Sequence, residues 1–241
     1  GLEQQKMHLV LTRHSDEQLT NETFVPSILR EVMADGLLIN FHTAPPKRMS
    51  DLIQQYAIPS VWLNIRRDMD CVYPDDFDGG KRLTQALIER GCKRICYACS
   101  GYYSPLFHYS KEDRLEGYRA AMKNAGLATD ELLKSEEGNG LRGDLRRRLQ
   151  ADEPMDALIS YGHEAHLCLS EVMPAMGLQP GKDVLLATFF NERFELPSTM
   201  TGIQTPFRQV GLEGVDLLLE RISQPNEKSE PKAVPYGKVV G

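Results

Sequence analysis

The fold is decided by the stretch Val72–Gly101, which reads VYPDDFDGGKRLTQALIERGCKRICYACSG. Leu83 and Leu87 are spaced to share one face of a helix, and Gly91 is a typical helix end. Residues 94–99 read RICYAC, a short apolar run of the kind that is buried on both faces in a parallel sheet. The stretch therefore predicts a loop, a helix, a turn and a strand.

The residues at the two ends of this helix–strand unit predict a backbone turn and a ligand-binding position. The paired glycines Gly79 and Gly80 predict a tight backbone turn out of an acidic loop, just before the helix. Ser100 and Gly101 follow the strand, so we expect them at the carboxyl end of a parallel sheet, where open α/β sheets bind ligands. This edge of the sheet is the first candidate site.

Strand and helix patterns alternate along the rest of the chain, which predicts parallel sheets flanked by helices. The predicted strands are residues 8–12, 36–41, 60–63, 94–99, 156–160, 184–190 and 200–204, with an edge strand over 233–240. The predicted helical faces are Phe24 to Val32, Met49 to Tyr56 after Pro46, Leu115 to Ala125, and Ala165 to Met176. The inward face of the last helix is expected to contain Val210, Val215, Leu218, Leu219 and Ile222.

Composition excludes several classes of protein. The chain has 241 residues, a formal net charge of −6 and a pI near 5.6, so it lacks the basic surface with which proteins grip a phosphate backbone. Its apolar runs are far shorter than a membrane span, and no signal-peptide pattern is present. The five cysteines have no framework spacing, which favours a reducing compartment. Together with the short apolar runs, this predicts a cytoplasmic location without membrane association.

Several segments at collinear spacing resemble the effector-binding domain of LacI/GalR-type transcriptional regulators. They are the Asp-x-x-x-Gly-Gly segment, ADGLLIN at Ala34–Asn40, DRLEGY at Asp113–Tyr118, DALIS at Asp156–Ser160 and the block Pro197–Ile222. The resemblance implies a periplasmic-binding-protein type I-like α/β fold with two similar lobes, each a parallel sheet flanked by helices. It implies an N-terminal lobe of residues 1–91 and 207–232 and a C-terminal lobe of residues 92–206 and 233–241.

The chain departs from the family pattern in two respects. The family's first strand–helix unit and its DNA-binding head have no match in this sequence, and we expect both to be missing from this chain. Many members carry Asn-Asp where this chain has Gly162 and His163, and Gly-Phe-Asp-Asp where it has residues 188–191. Those family residues commonly bind sugar hydroxyls, so their replacement argues against a simple aldose or disaccharide.

The resemblance also implies an effector site. Arg114 is the leading candidate, because the matching family arginine enters the cleft between the lobes and a guanidinium donates forked hydrogen bonds to hydroxyls or a carboxylate. It lies in the first turn of the helix predicted over Lys111–Ala125 and opposes the helix dipole, so we expect its removal to weaken binding with little effect on folding. Tyr161 and Phe190 offer a stacking surface. The remaining candidates are Asp78, Ser110, Gly162, Asn191 and Phe207, of which Phe207 fits a plain core position equally well.

Two segments leave a metal site as an alternative. Asp75, Asp76 and Asp78 lie on one loop, which either is a solvated turn or binds a divalent cation, although such a cation needs more oxygen ligands. His163 and His166 lack the His-Glu-x-x-His spacing of zinc hydrolases. The sequence contains no P-loop, nucleophile elbow or dinucleotide-binding glycine motif. We therefore expect no catalytic residue, no cofactor and no metal.

The function that the resemblance implies is effector sensing and dimerisation in a DNA-binding regulator. We expect a small polar effector, a sugar or sugar derivative, to bind between the lobes of a homodimer that contacts operator DNA through the missing head. The alternative is a periplasmic sugar-binding protein of a transport system, and an enzyme on the same fold is the third possibility.

The run Arg146–Arg148 is interpreted as a solvated helix face rather than an anion site.

Overall fold

A computed structural model of the chain describes residues 8–31, 34–41, 45–103, 108–133, 140–193 and 195–241. It contains two compact units, of which the first comprises Gly1–Pro74 and Phe207–Val234 and the second Asp75–Pro206 and Pro235–Gly241. Each unit is a sheet with helices packed against it. The predicted α/β class with parallel sheets is confirmed.

Helices and strands alternate along the chain. The first half contains α1 (Asp16–Thr20), α2 (Ile28–Glu31), β1 (Leu37–Ile39), α3 (Lys47–Gln55), β2 (Ser60–Leu63), β3 (Cys71–Pro74), α4 (Asp76–Glu89), β4 (Ile95–Ala98) and α5 (Ser110–Asn124). The second half contains β5 (Asp130–Leu132), α6 (Gly140–Leu149), β6 (Ala157–Ser160), α7 (Glu164–Leu167), α8 (Met173–Ala175), β7 (Leu185–Phe190), β8 (Met200–Gln204), α9 (Phe207–Ser223), β9 (Lys232–Val234) and β10 (Val239–Val240). The segment Cys168–Val172 between α7 and α8 is π-helical.

The first unit is built on a four-stranded sheet in the order β1-β2-β3-β9, with every pair parallel. Helix α9 lies close to this sheet, because a Cβ on Gly214 would meet Leu63 Cδ2 at 2.3 Å. The buried residues of α9 are Val210, Gly214, Leu217, Leu218 and Arg221. The predicted inward residues Val215 and Leu219 are only half-buried, because the face turned to the sheet includes a glycine and an arginine that an apolar pattern does not reveal.

The second unit is built on a six-stranded sheet in the order β10-β8-β7-β6-β4-β5, parallel except for β10, which runs antiparallel to β8. Strand β4 is buried along its whole length, as predicted for a strand covered on both faces. Alternate residues point to opposite faces. Ile95 and Tyr97 pack with residues of α4 and α5, whereas Cys96 and Ala98 pack with residues of α6 and α7.

Helices α4 and α5 pack so closely that glycine is required on each of them. A Cβ on Gly80 would lie 2.2 Å from the Arg114 carbonyl oxygen, and a Cβ on Gly117 would lie 2.2 Å from the Phe77 carbonyl oxygen. Gly79 and Gly80 are therefore inside α4, and the predicted turn at these glycines was wrong. The paired glycines serve close helix packing, which explains why α4 belongs to the second unit although the sequence-based division placed residues up to 91 in the first lobe.

Helix α4 begins earlier than the apolar pattern indicated because Asp75 caps it. The Asp75 side chain accepts a hydrogen bond from the Asp78 amide at 3.1 Å, which satisfies one of the amides that a helix start leaves unpaired. Gly91, with φ of +94°, follows the helix end as predicted.

The start of the chain differs from its predicted structure. Residues 8–12 are irregular, and Leu9 and Leu11 are 69% and 88% exposed, so the predicted strand there was wrong. An isolated strand is unstable without a partner to bond its amides and carbonyls. Of the helix predicted over Phe24–Val32, the described residues form the four-residue α2, and Val32 lies outside the described residues.

Three further segments were predicted incompletely. Strand β3 was interpreted as a loop, because its four residues are too few to show periodicity. The predicted edge strand over 233–240 is instead two short strands in different sheets, with Pro235, which has no amide donor, between them. The helix predicted from Ala165 to Met176 changes to π geometry before Pro174, whose ring disrupts regular α-helical bonding. Within the described residues, no helix combines the length and apolarity needed to cross a bilayer.

Candidate functional site

Polar and aromatic side chains collect at the carboxyl ends of three neighbouring strands of the second unit. Strands β7, β6 and β4 are adjacent in its sheet, and Asn191, Tyr161 and Ser100 follow them. The predicted position of Ser100 and Gly101 at the carboxyl end of a parallel strand is confirmed. This edge is where open α/β sheets bind ligands.

Arg114 is the central residue of this site and is only 8% exposed. Its Nε donates to Asp76 Oδ1 at 2.6 Å, and its Nη2 donates to the Tyr236 hydroxyl at 2.9 Å. The Tyr236 hydroxyl donates in turn to Asp76 Oδ1 at 2.7 Å, which closes a triangle that we call the Arg114 triad. Within the described part of the chain, the hydrogen bonds of the guanidinium use Nε and Nη2 and not Nη1, which leaves this end available to a ligand.

Two aromatic rings lie against the guanidinium. Arg114 Cζ is 4.1 Å from the centre of the Phe189 ring and 5.0 Å from that of Tyr161, distances at which cation–π attraction is significant. Phe189 makes this contact, whereas the sequence indicated Phe190 as a stacking residue, because consecutive strand residues point to opposite faces. Phe190 lies near Gly202, where an added Cβ would be 2.8 Å from its Cδ1.

The charge of Arg114 is stabilised by its partners. Burial opposes the charged form, but Tyr236 and Asp76 outweigh that effect, and the pKa of the guanidinium is raised. Burial raises the pKa of the hydroxyls of Tyr236 and Tyr161 as well, so both are neutral phenols at physiological pH. Asp76 lies in the first turn of α4, where the helix dipole favours a negative charge.

This geometry contradicts the expectation that Arg114 contributes little to folding. Its ion-pair partner Asp76 is 1% exposed, so the removal of Arg114 would leave a carboxylate buried without a counter-charge. Breaking a buried pair in this way costs about 3 to 5 kcal/mol. The partner is 38 positions away in the sequence, which is why a local argument from the helix dipole missed it.

The first turn of α5 adds a second polar group. Ser110 is 2% exposed, and its Oγ lies 2.9 Å from the Tyr161 hydroxyl and 2.7 Å from His108 Nδ1. Tyr161, which follows β6, therefore contacts both Ser110 and the Arg114 guanidinium. Of the residues predicted from the sequence, the structure brings Arg114, Ser110 and Tyr161 together.

Glu164 was missed as a structural residue of this edge. Its Oε1 accepts from the amide and hydroxyl of Ser100 at 2.7 and 2.8 Å, and its Oε2 accepts from Ser160 Oγ at 2.8 Å and Gly162 N at 2.9 Å. Burial alone would raise the pKa of this carboxyl, but these hydrogen bonds outweigh it and the pKa is lowered. Glu164 thus ties together the carboxyl ends of β4 and β6, and the candidate Gly162 is one of its donors.

The remaining predicted residues have other local contacts. Asp78 Oδ2 pairs with Arg82 Nη1 at 3.3 Å on the surface of α4. Asn191 Oδ1 accepts from the Arg193 amide at 2.9 Å within a turn. Phe207 begins α9 in the first unit and is 43% exposed, so it is not a plain core residue.

The two segments considered for a metal site do not gather a set of ligands in the part of the chain that the structure describes. Among the residues that the structure describes, no group of three or more histidine, cysteine, aspartate or glutamate side chains could hold a metal ion.

In the arginine run Arg146–Arg148, Arg147 pairs with Asp144, and Arg148 Nε donates to Asp130 Oδ2 at 2.8 Å. Arg146 and Arg147 are exposed, so the predicted solvated face of α6 is confirmed for these two residues, whereas Arg148 is half-buried.

Comparison with known proteins gives a consistent set of relatives. Residues 84–241 match the family model described as a periplasmic binding protein-like domain. The ribose operon repressor of Escherichia coli (strain K12) is 31% identical over 222 residues, which are 87% of this chain and 64% of the repressor. The HTH-type transcriptional repressor PurR of Escherichia coli O1:K1 / APEC is 26% identical over 95% of this chain and 68% of PurR.

Solved structures agree in fold. A LacI family transcriptional regulator from Enterococcus faecium, solved with bound ribose, superposes with a TM-score of 0.76 at 18% identity and covers 100% of this chain and 88% of that chain. Identity this low bears on the fold alone. Since the chain spans 64% of the length of the ribose operon repressor, the activity of a whole protein of that kind does not follow from these matches.

Proposed function

We propose a function from one premise, that this chain belongs to the periplasmic-binding-protein-like family as the effector-binding domain of a LacI/GalR-type regulator. Its role in that regulator is to bind a small polar effector, a sugar or sugar derivative. Binding then shifts a balance between two states of the regulator and so changes its hold on operator DNA. The chain has no catalytic role in this proposal.

The observation that carries the proposal is the state of Arg114. A buried guanidinium is held at Nε and Nη2 by Asp76 and Tyr236, while Nη1 makes no hydrogen bond among the described residues. Such pre-organisation raises affinity, because the side chain loses no further freedom when a ligand binds. An arginine held in this way at the carboxyl edge of a parallel sheet suits a ligand oxygen better than it suits a purely structural role.

The ligand class is proposed from the surroundings of Arg114 and from the relatives. Phe189 and Tyr161 are half-buried aromatic residues in contact with Arg114, and sugars pack their C–H faces on aromatic rings. Ser110 and Tyr161 add hydroxyls that donate or accept. Among the related proteins, one is named for the ribose operon and one is solved with ribose bound.

A thermal-shift screen of the purified chain over sugars, polyols, sugar acids and nucleosides tests this proposal. A ligand that binds only the folded state raises the midpoint of unfolding by an amount that grows with its concentration. We expect at least one sugar or sugar derivative to do so, with binding confirmed by calorimetric titration. No shift with any carbohydrate, together with a clear shift for another class, would contradict the proposed effector.

We further propose that the chain belongs to a homodimeric regulator in the cytoplasm, because operator DNA lies in the cytoplasm. Transcriptional regulators among the relatives favour it over a transport protein. We expect sedimentation at micromolar concentration to give a dimer.

With a net charge of −6, the chain alone should bind DNA only weakly and without sequence preference. A gel shift with sequence preference at physiological salt would contradict the proposal that this chain by itself does not recognise operator DNA.

A further inference from the structure

The buried charges of the second unit sum to zero. Within the described residues they are the cations of Lys111 and Arg114 and the anions of Asp76 and Glu164. The Glu164 carboxylate accepts hydrogen bonds from Ser100, Ser160 and Gly162. Lys111 Nζ donates to the Gly101 carbonyl oxygen at 2.5 Å. The charge that faces a ligand at Arg114 is therefore set by Asp76.

We propose that Asp76 is a specificity-determining residue, which makes the Arg114 site select neutral hydroxylated ligands over the corresponding carboxylates. The proposal rests on the proposed function above, since it concerns the ligand of the same site. Asp76 offsets the positive charge of Arg114 at a distance of 2.6 Å. A ligand then meets Arg114 as a hydrogen-bond donor within a neutral pair.

The arrangement of the Arg114 hydrogen bonds also favours neutral ligands over carboxylates. Arginine binds a carboxylate best through a fork of two parallel N–H groups, and one such fork is formed by Nε and Nη2. In the Arg114 triad both atoms of that fork are taken, by Asp76 Oδ1 and by the Tyr236 hydroxyl. The partner-free Nη1 suits a single hydroxyl oxygen, which requires neither a fork nor a net positive charge.

Tyr236 is itself held in place, so the fork is not easily released. Arg82 donates from Nη1 to the Tyr236 carbonyl oxygen at 2.9 Å and from Nη2 to the Gly237 carbonyl oxygen at 2.7 Å. The Tyr236 ring packs on Gly79, where an added Cβ would lie 2.8 Å from its Cε2. A carboxylate ligand would therefore have to displace a buried and doubly anchored phenol to reach the fork.

Matched pairs of an aldose and its aldonate test the proposal, because the members differ in charge and resemble each other in hydroxyls. Calorimetric titration with ribose and ribonate, glucose and gluconate, and galactose and galactonate gives the affinity ratio of each pair. For the native chain we expect a neutral sugar to bind about tenfold or more tightly than its acid, the amount that one charge-dependent hydrogen bond supplies.

Two variants locate the cause of that ratio. Asp76→Asn keeps the side-chain shape but removes the charge, and we expect the ratio of neutral to acidic affinity to fall by about 10- to 100-fold. Asp152→Asn makes the same change of net charge at an exposed position and is expected to leave the ratio unaltered. A merely structural role of Asp76 would weaken both members of a pair equally.

Each remaining outcome decides the matter. Tighter binding of an acid by the native chain, or an unchanged ratio in Asp76→Asn, overturns the role of Asp76 and leaves a sugar-type effector in place. Binding of neither member of any pair, together with no shift from any carbohydrate in the thermal-shift screen, overturns the sugar-type effector and the inference together. If Asp76→Asn fails to fold, as judged by circular dichroism, the ratio measured for the native chain decides alone.

Discussion

Gly80 and Arg114 approach so closely that a Cβ on Gly80 would lie 2.2 Å from the Arg114 carbonyl oxygen. This contact determines the site as well as the packing of α4 on α5. Asp76 lies one helical turn before Gly80, so the close approach brings its carboxylate to the Arg114 guanidinium at 2.6 Å. The glycine pair therefore positions the charge that balances Arg114.

A larger residue at this contact should separate the two helices. We expect Gly80→Ala to lower the free energy of unfolding by about 2 to 4 kcal/mol, because the obstructing atoms belong to backbone and cannot move aside cheaply. Gly143→Ala in α6 is the matched control, since its Cβ would meet only the end of the Arg147 side chain at 3.8 Å. It should stabilise the chain by about 0.5 to 1 kcal/mol. Equal effects of both changes in urea denaturation would contradict this packing argument.

Arg114→Ala should destabilise the fold as well as weaken effector binding. It leaves Asp76 buried without a counter-charge, and we expect a loss of about 3 to 5 kcal/mol in the free energy of unfolding by urea denaturation. Arg147→Ala provides the control, because its ion pair with Asp144 is formed by a side chain that is 75% exposed. That change should stay within about 0.5 kcal/mol of the native value. A stability of Arg114→Ala indistinguishable from that of the control would show that the Arg114 triad is not buried in solution.

Glu164 should make stability depend on pH in the acidic range. Its folded-state pKa is lowered, so its contribution is complete above the unfolded-state pKa of about 4.3 and is lost as pH falls through the folded-state value. We expect Glu164→Gln to be less stable than the native chain at pH 7 and to lose less stability between about pH 5 and pH 3. Glu153→Gln, at an exposed position, should show the native slope. Urea denaturation at a series of pH values measures both, and a native slope in Glu164→Gln would refute the assignment.

The cysteines should be unreactive in the folded chain. All five are free and buried, and burial raises the pKa of the thiols of Cys99 and Cys168 to about 12. Because only the thiolate reacts with alkylating reagents, we expect labelling by iodoacetamide at pH 7.5 to be slow and to accelerate in urea in step with unfolding. Rapid labelling of any one cysteine in native buffer would contradict its buried position.

The sequence by itself determined the fold class and most of the elements. Helices α5 and α9 and strands β1, β2, β4, β6, β7 and β8 were recognised because each has its own apolar period and its own end signals. Failures occurred where an element depends on a partner distant in sequence. Residues 8–12 have a strand-like pattern but pair with no strand among the residues that the structure describes, whereas β3 forms from a segment too short to show a pattern.

The residues of the candidate site likewise divide into those that the sequence identified and those that only the tertiary structure revealed. Arg114, Ser110 and Tyr161 were identified because each lies in or within a few residues of a family-like motif, DRLEGY for the first two and DALIS for Tyr161. Asp76 and Tyr236 could not be, because they are 38 and 122 positions from Arg114 and meet it only when glycines let α4 approach α5. Sequence periodicity reports which face of an element is apolar, but the pairing of buried charges depends on distances that only tertiary packing sets.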